Sequence, residues 1–358
     1  MKIPTLLLGA SLAAASYPGA LPLPLPTPIW TRLATNSSAQ FRGLAPVSSR
    51  VAWVSGTGAT VLRTTDGGAT WASVGPRLPA ADAGRLEFRD VEAWSADRAV
   101  VLSIGAGGDS RVYATRDGGA SWALAFANAD PAAFYDCLAF ATPARGLALG
   151  DPVGGRFRLL ETRDGGASWE VLDGDDDDDD DDAGMPPALD GEYAFAASGT
   201  CISAAAGRWY IASGGVDPGR VFRSADGRRW SVSNSSIAGG PAAGVFSVRF
   251  RDATHGIAVG GNYESPTGAV SNAAWSADGG RSWTPAASFP HGYRSGAAWV
   301  QGVHGMAIAV GTTGSDFTLD SGRTWHSFDN GTFDSVECVG ARVCWASGQG
   351  GRVARLSW

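Results

Sequence analysis

The eight residues TRDGGASW occur twice, letter for letter, at 115–122 and 162–169. TTDGGATW (64–71), SADGGRSW (276–283) and TLDSGRTW (318–325) are near-copies, and SADGRRW (224–230) is a shortened form. A turn written six times in one chain marks stacked supersecondary units, because a unit of this size cannot bury its hydrophobic face alone. The turns end on Trp71, Trp122, Trp169, Trp230, Trp283 and Trp325. A seventh tryptophan, Trp30, has no such turn before it, yet the residues after it follow the pattern of the other units.

After each tryptophan the chain reaches an aromatic that opens a strand: Phe41, Phe88, Phe134, Phe195, Phe246, Tyr293 and Phe333. A second short apolar strand follows, often ending in glycine (WVSG, LALG, IAVG, WASG), and a third leads into the next turn. Four short strands per unit, in units of about 40–60 residues, predict an all-β chain folded as a single β-propeller. The tryptophans count seven four-stranded blades. The last unit stops after its third strand, so the segment around Trp30 is expected to supply the fourth. N- and C-terminal strands sharing one blade would close the ring and remove an exposed edge. The 50 glycines suit the many tight turns of such a fold.

The formal charge of −7 is local in origin. Asp173 and the unbroken run Asp175 to Asp182 supply nine of the 35 acids; without them and Lys2, 26 acids face 27 arginines. A nearly neutral body lacks the basic footprint of a nucleic-acid binder, so no nucleic-acid partner is expected. Residues 173–190 are read as a solvated, disordered acidic loop, since like charges repel and bury no core. A homopolymer lacks the spaced oxygens of a calcium site, and no metal or other cofactor is expected.

Residues 1–20 carry one positive charge, a short apolar run and small residues, the pattern of a secretory signal peptide. A proline-rich spacer (21–28) follows, and the propeller is assigned to 29–358. No segment approaches the ~20 apolar residues of a membrane-spanning helix. The sequons at Asn36, Asn234 and Asn330 fit an extracellular, glycosylated product, expected to be a monomer. Cys338 and Cys344 flank VGARV; a three-residue hairpin loop at Gly340 to Arg342 would bring them face to face for a disulfide. Cys137 and Cys201 are read as buried thiols.

In each repeated turn the aspartate can bond backbone amides of its own turn, the glycines accept positive φ, and the tryptophan offers a large surface for burial. The turns match the Asp-box, or BNR repeat, Ser/Thr-x-Asp-x-Gly-x-Ser/Thr-Trp. The resemblance implies that each turn joins the third and fourth strands of a blade. Strands alternate direction, so these turns lie on the face opposite the second-to-third loops and the blade connections. The repeat is therefore read as a staple, with function expected on the other face.

Directly after the strand-opening aromatics stand Arg42, Arg89, Tyr135, Ala196, Ser247, Arg294 and Asp334, with Asp90, Asp136 and Ser295 beside them. Loops add Asp151, Asn262, Tyr263, Ser315 and Asp316. First strands line the channel, so these groups are candidates to converge on its mouth. Arg42, Arg89 and Arg294 would attract an anion, above all a carboxylate gripped in bidentate fashion. Tyr135, Asp136, Asp151, Asn262, Tyr263 and Asp316 complete the candidate ligand-binding set. The alternative is that each arginine pairs with a neighbouring aspartate and bridges blades.

Beyond the turns, FYDCLAFATPARGLALGDPVGGRF, GEYAFAASGT, FRDATHGIAVGGNY and GYRSG resemble bacterial members of the photosystem II stability/assembly factor-like group of Asp-box propellers. That resemblance implies a seven-bladed, non-catalytic binding or assembly module for a small anionic or polar ligand or a protein segment. Bacterial members often labelled oxidoreductases find no support here, for the chain lacks a dinucleotide fingerprint or metal cluster. Sialidases, also Asp-box propellers, supply the alternative of a glycoside hydrolase. Arg42, Arg89 and Arg294 would then form the arginine triad, Tyr135 or Tyr293 the nucleophile, and Asp136 or Asp316 the acid. Their early Arg-Ile-Pro signature is absent; the near match Arg77-Leu78-Pro79 follows the first turn. Carboxylate-based lyase or cyclase chemistry is a further alternative. His255 and His304 stand in matching first-to-second turns, and His291 and His326 have no nucleophile elbow near them.

Overall fold

A computed structural model of the chain describes residues 28–172 and 184–357. Seven four-stranded antiparallel sheets are arranged in a ring. Their innermost strands, in order, are Phe41–Pro46, Glu87–Ala93, Tyr135–Phe140, Ile202–Ala205, Ala243–Phe250, Gly296–Trp299 and Ser335–Cys338. Blades 1 to 7 are numbered by these strands. The outermost strand of blade 7 is Ile29–Leu33, paired antiparallel with Val353–Ser357, so the two ends of the described chain share a blade. Residues 1–27, where the signal peptide and most of the spacer were assigned, lie outside the described residues, as do 173–183 with the acidic run. Residues 184–190 dock on the ring: Trp230 N–H donates to Gly184 O (3.0 Å) and Ala188 N–H to Gly155 O (2.8 Å).

Each repeated turn joins the third and fourth strands of a blade, and one local network recurs in five of the six. In blade 2, Thr115 Oγ1 donates to Asp117 Oδ1 (2.9 Å) and accepts from Gly119 N–H (3.0 Å). Asp117 then accepts from Ser121 N–H and Oγ (2.9 and 2.5 Å). Short carboxylate bonds to amides in the same turn fix the reversal that tertiary packing needs. The tryptophan leans on the preceding blade: the Trp122 indole donates to Val74 O (2.7 Å) and meets Trp53 edge-on. Arginines add clasps between blades; Arg98 lies over Trp94 and donates to Pro143 O and Gly165 O (2.6 and 3.2 Å) of blade 3.

Two disulfides are present. Cys338 stands opposite Cys344 across the first hairpin of blade 7, their Cα atoms 4.0 Å apart. Cys137 and Cys201 are not buried free thiols. They are bonded to each other and tie the inner strand of blade 3 to the start of blade 4. The two cysteines occupy equivalent positions in adjacent blades, a proximity created by ring closure across 64 residues of sequence.

The channel is not open from end to end. The segment Phe195 to Thr200, which leads into the inner strand of blade 4, crosses it and bonds to three other blades. Arg89 Nη1 donates to Ala196 O (3.3 Å), Ser198 Oγ to Ser295 O (2.7 Å) and Ser335 Oγ to Ser198 O (3.3 Å). Gly199 sits at φ +74° against Asp90, and a Cβ there would lie 2.4 Å from Oδ1. Only glycine suits both the backbone and the space. The plug divides the channel into an upper mouth, on the side of the second-to-third loops, and a lower chamber on the side of the repeated turns.

Candidate functional site at the two channel mouths

The upper mouth is built by β-bulges. In blades 1, 2, 3 and 5 the register slips at Arg42, Arg89, Asp136 and Phe246, leaving each unpaired on the inner strand. A bulge re-aims a side chain without ending the strand. Pairing through Gly56, Ser103, Gly150 and Gly260 makes Phe41, Phe88, Tyr135 and Val245 equivalent. Tyr135 is thus a core residue, 1% exposed and edge-on to Phe126, rather than a channel residue. In blade 6 Arg294 takes this same inward position. It is fully buried, with Nε 2.6 Å from Asp316 Oδ2 and Nη1 donating to Tyr293 O (2.7 Å) and Thr313 Oγ1 (3.0 Å). Arg294 and Asp316 form an internal ion pair, and the three arginines do not converge on one point.

The structure brings Arg42, Arg89 and Asp136 together, with Gln40, Glu87 and Asp334 around them. Arg89 holds Glu87 (Nε to Oε2 2.8 Å, Nη2 to Oε2 2.7 Å). Asp334 accepts from Gln40 Nε2 at 3.0 Å. The Nε of Arg42 is buried without a hydrogen-bond partner. Burial and then the charge of Arg89 push the Arg42 guanidinium below its usual range. Arg42, desolvated and repelled by Arg89, favours an incoming anion.

Asp136 Oδ2 is likewise buried and unpartnered. Burial, with Asp151 next, holds the Asp136 carboxyl well above the usual range. Asp151 accepts from Ala194 N–H (3.0 Å) and is pushed up to about 6, mainly by burial. Asn262 closes its own loop, accepting from Glu264 and Ser265 N–H (2.8 and 3.2 Å).

The other half of the mouth is aromatic. Phe195 and Phe246 stack at 3.7 Å, Tyr293 meets Phe246 edge-on at 4.7 Å, and Tyr263 stands edge-on to both phenylalanines. Tyr263 is 47% exposed. Tyr293 is buried, and burial raises its hydroxyl above the usual range, so it is a poor nucleophile where it stands. The geometry therefore offers paired cations beside an aromatic shelf, and it does not assemble the arginine triad of a sialidase.

Sequence reasoning passed over the lower chamber. Four residues beyond the Phe41 position, the inner strands place Ala45, Glu92, Ala139, Arg249, Ala298 and Glu337 at one level, with Ser203 at that level in blade 4. Several of these line two adjoining cavities of about 760 and 160 Å³ that share Arg249 and Glu337. The constant offset was the available signal. No group of three or more His, Cys, Asp or Glu suited to a metal occurs among the described residues. Nor is any described helix long and apolar enough to cross a membrane.

No protein-family model matches the chain, and no curated protein does. Among solved structures it is similar to YCF48 bound to D1 peptide, with TM-score 0.61 and 15% identity over 93% of this chain and 97% of that one. It is similar also to YCF48 from Cyanidioschyzon merolae (TM-score 0.62, 14% identity, 91% and 98% covered). The Pan2 WD40 domain of Neurospora crassa aligns at TM-score 0.59 and 9% identity, over 91% and 94%. At such identities the likeness is one of fold, and in each case it spans nearly the whole of both chains: this chain is a complete seven-bladed β-propeller ring.

Proposed function

We propose that this protein is a non-catalytic binding and assembly module, of the Asp-box, YCF48-like kind, that captures a segment of another protein at the upper mouth. The carrying observation is the pairing of Arg42 and Arg89, with Arg42 Nε unpartnered, beside the exposed Tyr263 shelf. The arginines take a carboxylate of the segment, terminal or side-chain, and the shelf takes an apolar or aromatic neighbour. The fold shared with YCF48 bound to D1 peptide supports a protein segment as the partner. Secretion as a glycosylated monomer belongs to the same proposal; two disulfides and the exposure of Asn36, Asn234 and Asn330 support it.

The test is titration with short peptides ending in an aromatic residue and a free carboxylate, against C-terminally amidated twins. Binding should fall about tenfold or more on amidation, on Arg42→Ala and on Arg89→Ala, and should weaken with salt. Equal affinity for both twins would sink the carboxylate reading. Turnover of a sialoside by the purified protein would replace the module with an enzyme.

A further inference from the structure

The lower chamber carries a second site. Of the seven inner-strand residues at its level, four are small (Ala45, Ala139, Ser203, Ala298) and three are charged (Glu92, Arg249, Glu337). Ser203 and Ala298 line the cavity of about 760 Å³, a size suited to a small organic ligand, while Ala45, Ala139 and Glu92 line the adjoining one of about 160 Å³. The plug at Ser198 and Gly199 closes the inner end, so a ligand enters only from the face of the repeated turns.

The charges do not balance. Arg249 is committed to Glu337, with which it forms an ion pair. Arg251, on the rim, is held by Asp252 and by Ser321 Oγ (3.0 Å). Glu92 has no hydrogen bond or ion pair to the protein among the described residues; Glu337 repels it and Arg249 attracts it. The Trp299 ring, fixed by its indole N–H on Arg249 O (3.1 Å), walls the larger cavity and carries the Arg251 guanidinium 5.3 Å from its centroid. Burial pushes the Glu92 carboxyl up to about 8, and an organic cation bound beside it would favour the ionised form.

We infer that the lower chamber binds a guanidinium or primary ammonium group on a short flexible stem, with Glu92 as its counter-ion. The cation is either that of a free small molecule or an arginine or lysine side chain of a docked protein. The site stands independently of the upper mouth, because the plug separates them.

Calorimetric titration with agmatine and with an acetylated, amidated Gly-Arg-Gly peptide tests this. Saturable binding of either probe is expected, weakened about tenfold by Glu92→Gln and unaffected by Arg42→Ala. Glu92→Gln keeps the shape of the side chain and should fold, and Glu92→Asp should restore part of the affinity. Agmatine binding points to a free ligand, and peptide binding alone to a protein side chain. Failure of both probes to bind up to about 10 mM, or equal affinity in Glu92→Gln, overturns the proposal.

Discussion

Arg294 and Asp316 face each other inside blade 6 with no exposed surface on either side chain, Nε to Oδ2 2.6 Å. Asp316 also accepts from the backbone N–H of His291 at 3.2 Å, so the pair fastens a blade connection to the blade. Removing one partner leaves a charge stranded in the interior. Arg294→Ala should cost about 3–5 kcal/mol in denaturant unfolding, while peptide affinity of the folded fraction stays that of the wild type. A stable Arg294→Ala variant with lost binding would return this arginine to the mouth.

Thr115 is the hinge of its turn, donating to Asp117 and accepting from Gly119. Thr115→Val keeps the shape and removes both bonds. A loss of about 1–3 kcal/mol is expected by urea unfolding, with no change in binding at either mouth. Trp325, 2% exposed, should lose about 3–5 kcal/mol on substitution by alanine, through the cavity left behind.

Gly199 holds the plug against Asp90, at a φ that disfavours a side chain and with no room for one. Gly199→Ala should lower the melting temperature by several degrees and disturb both mouths together, seen as parallel losses of peptide and agmatine binding. Loss at one mouth alone would show that the plug does not join them.

Stability should depend on pH with two opposed limbs. Glu92 is pushed up to about 8 and Asp151 to about 6 in the folded protein, above their unfolded values. The folded state therefore holds those protons more tightly. Their contribution is complete below the unfolded pKa and is lost as pH rises through about 6 and about 8. Asp278, bonded by Ser282 and Ser276, is held down to about 2, and its contribution is lost as pH falls toward that value. Denaturation midpoints should peak at about pH 5 and decline by pH 8, with Glu92→Gln flattening the decline. A steady rise from pH 5 to pH 8 would contradict the burial of these carboxyls.

The seven-fold count, the place of each turn and the closure by Trp30 were legible in the residues because each is a local or periodic property. A Ser/Thr, an aspartate and two glycines within eight residues dictate the turn wherever they occur. The missing fourth strand of the last unit calls for a partner from the other end of the chain. Which side chains face the channel was another matter. A strand reverses its faces with every residue, so a slip of one position exchanges core for channel. Tyr135 and Arg294 were read as following an aromatic, and pairing places both in the Phe41 position, turned inward. The bulges that decide this depend on hydrogen bonds to the neighbouring strand, which no spacing within one strand reveals. The plug at Phe195 to Thr200, the Cys137–Cys201 bond and the convergence of Glu92, Arg249 and Glu337 arise only when the ring closes. Sequence by itself determined the repeating unit and its number; the tertiary structure decided the contents of the channel, because its wall takes one strand from every blade.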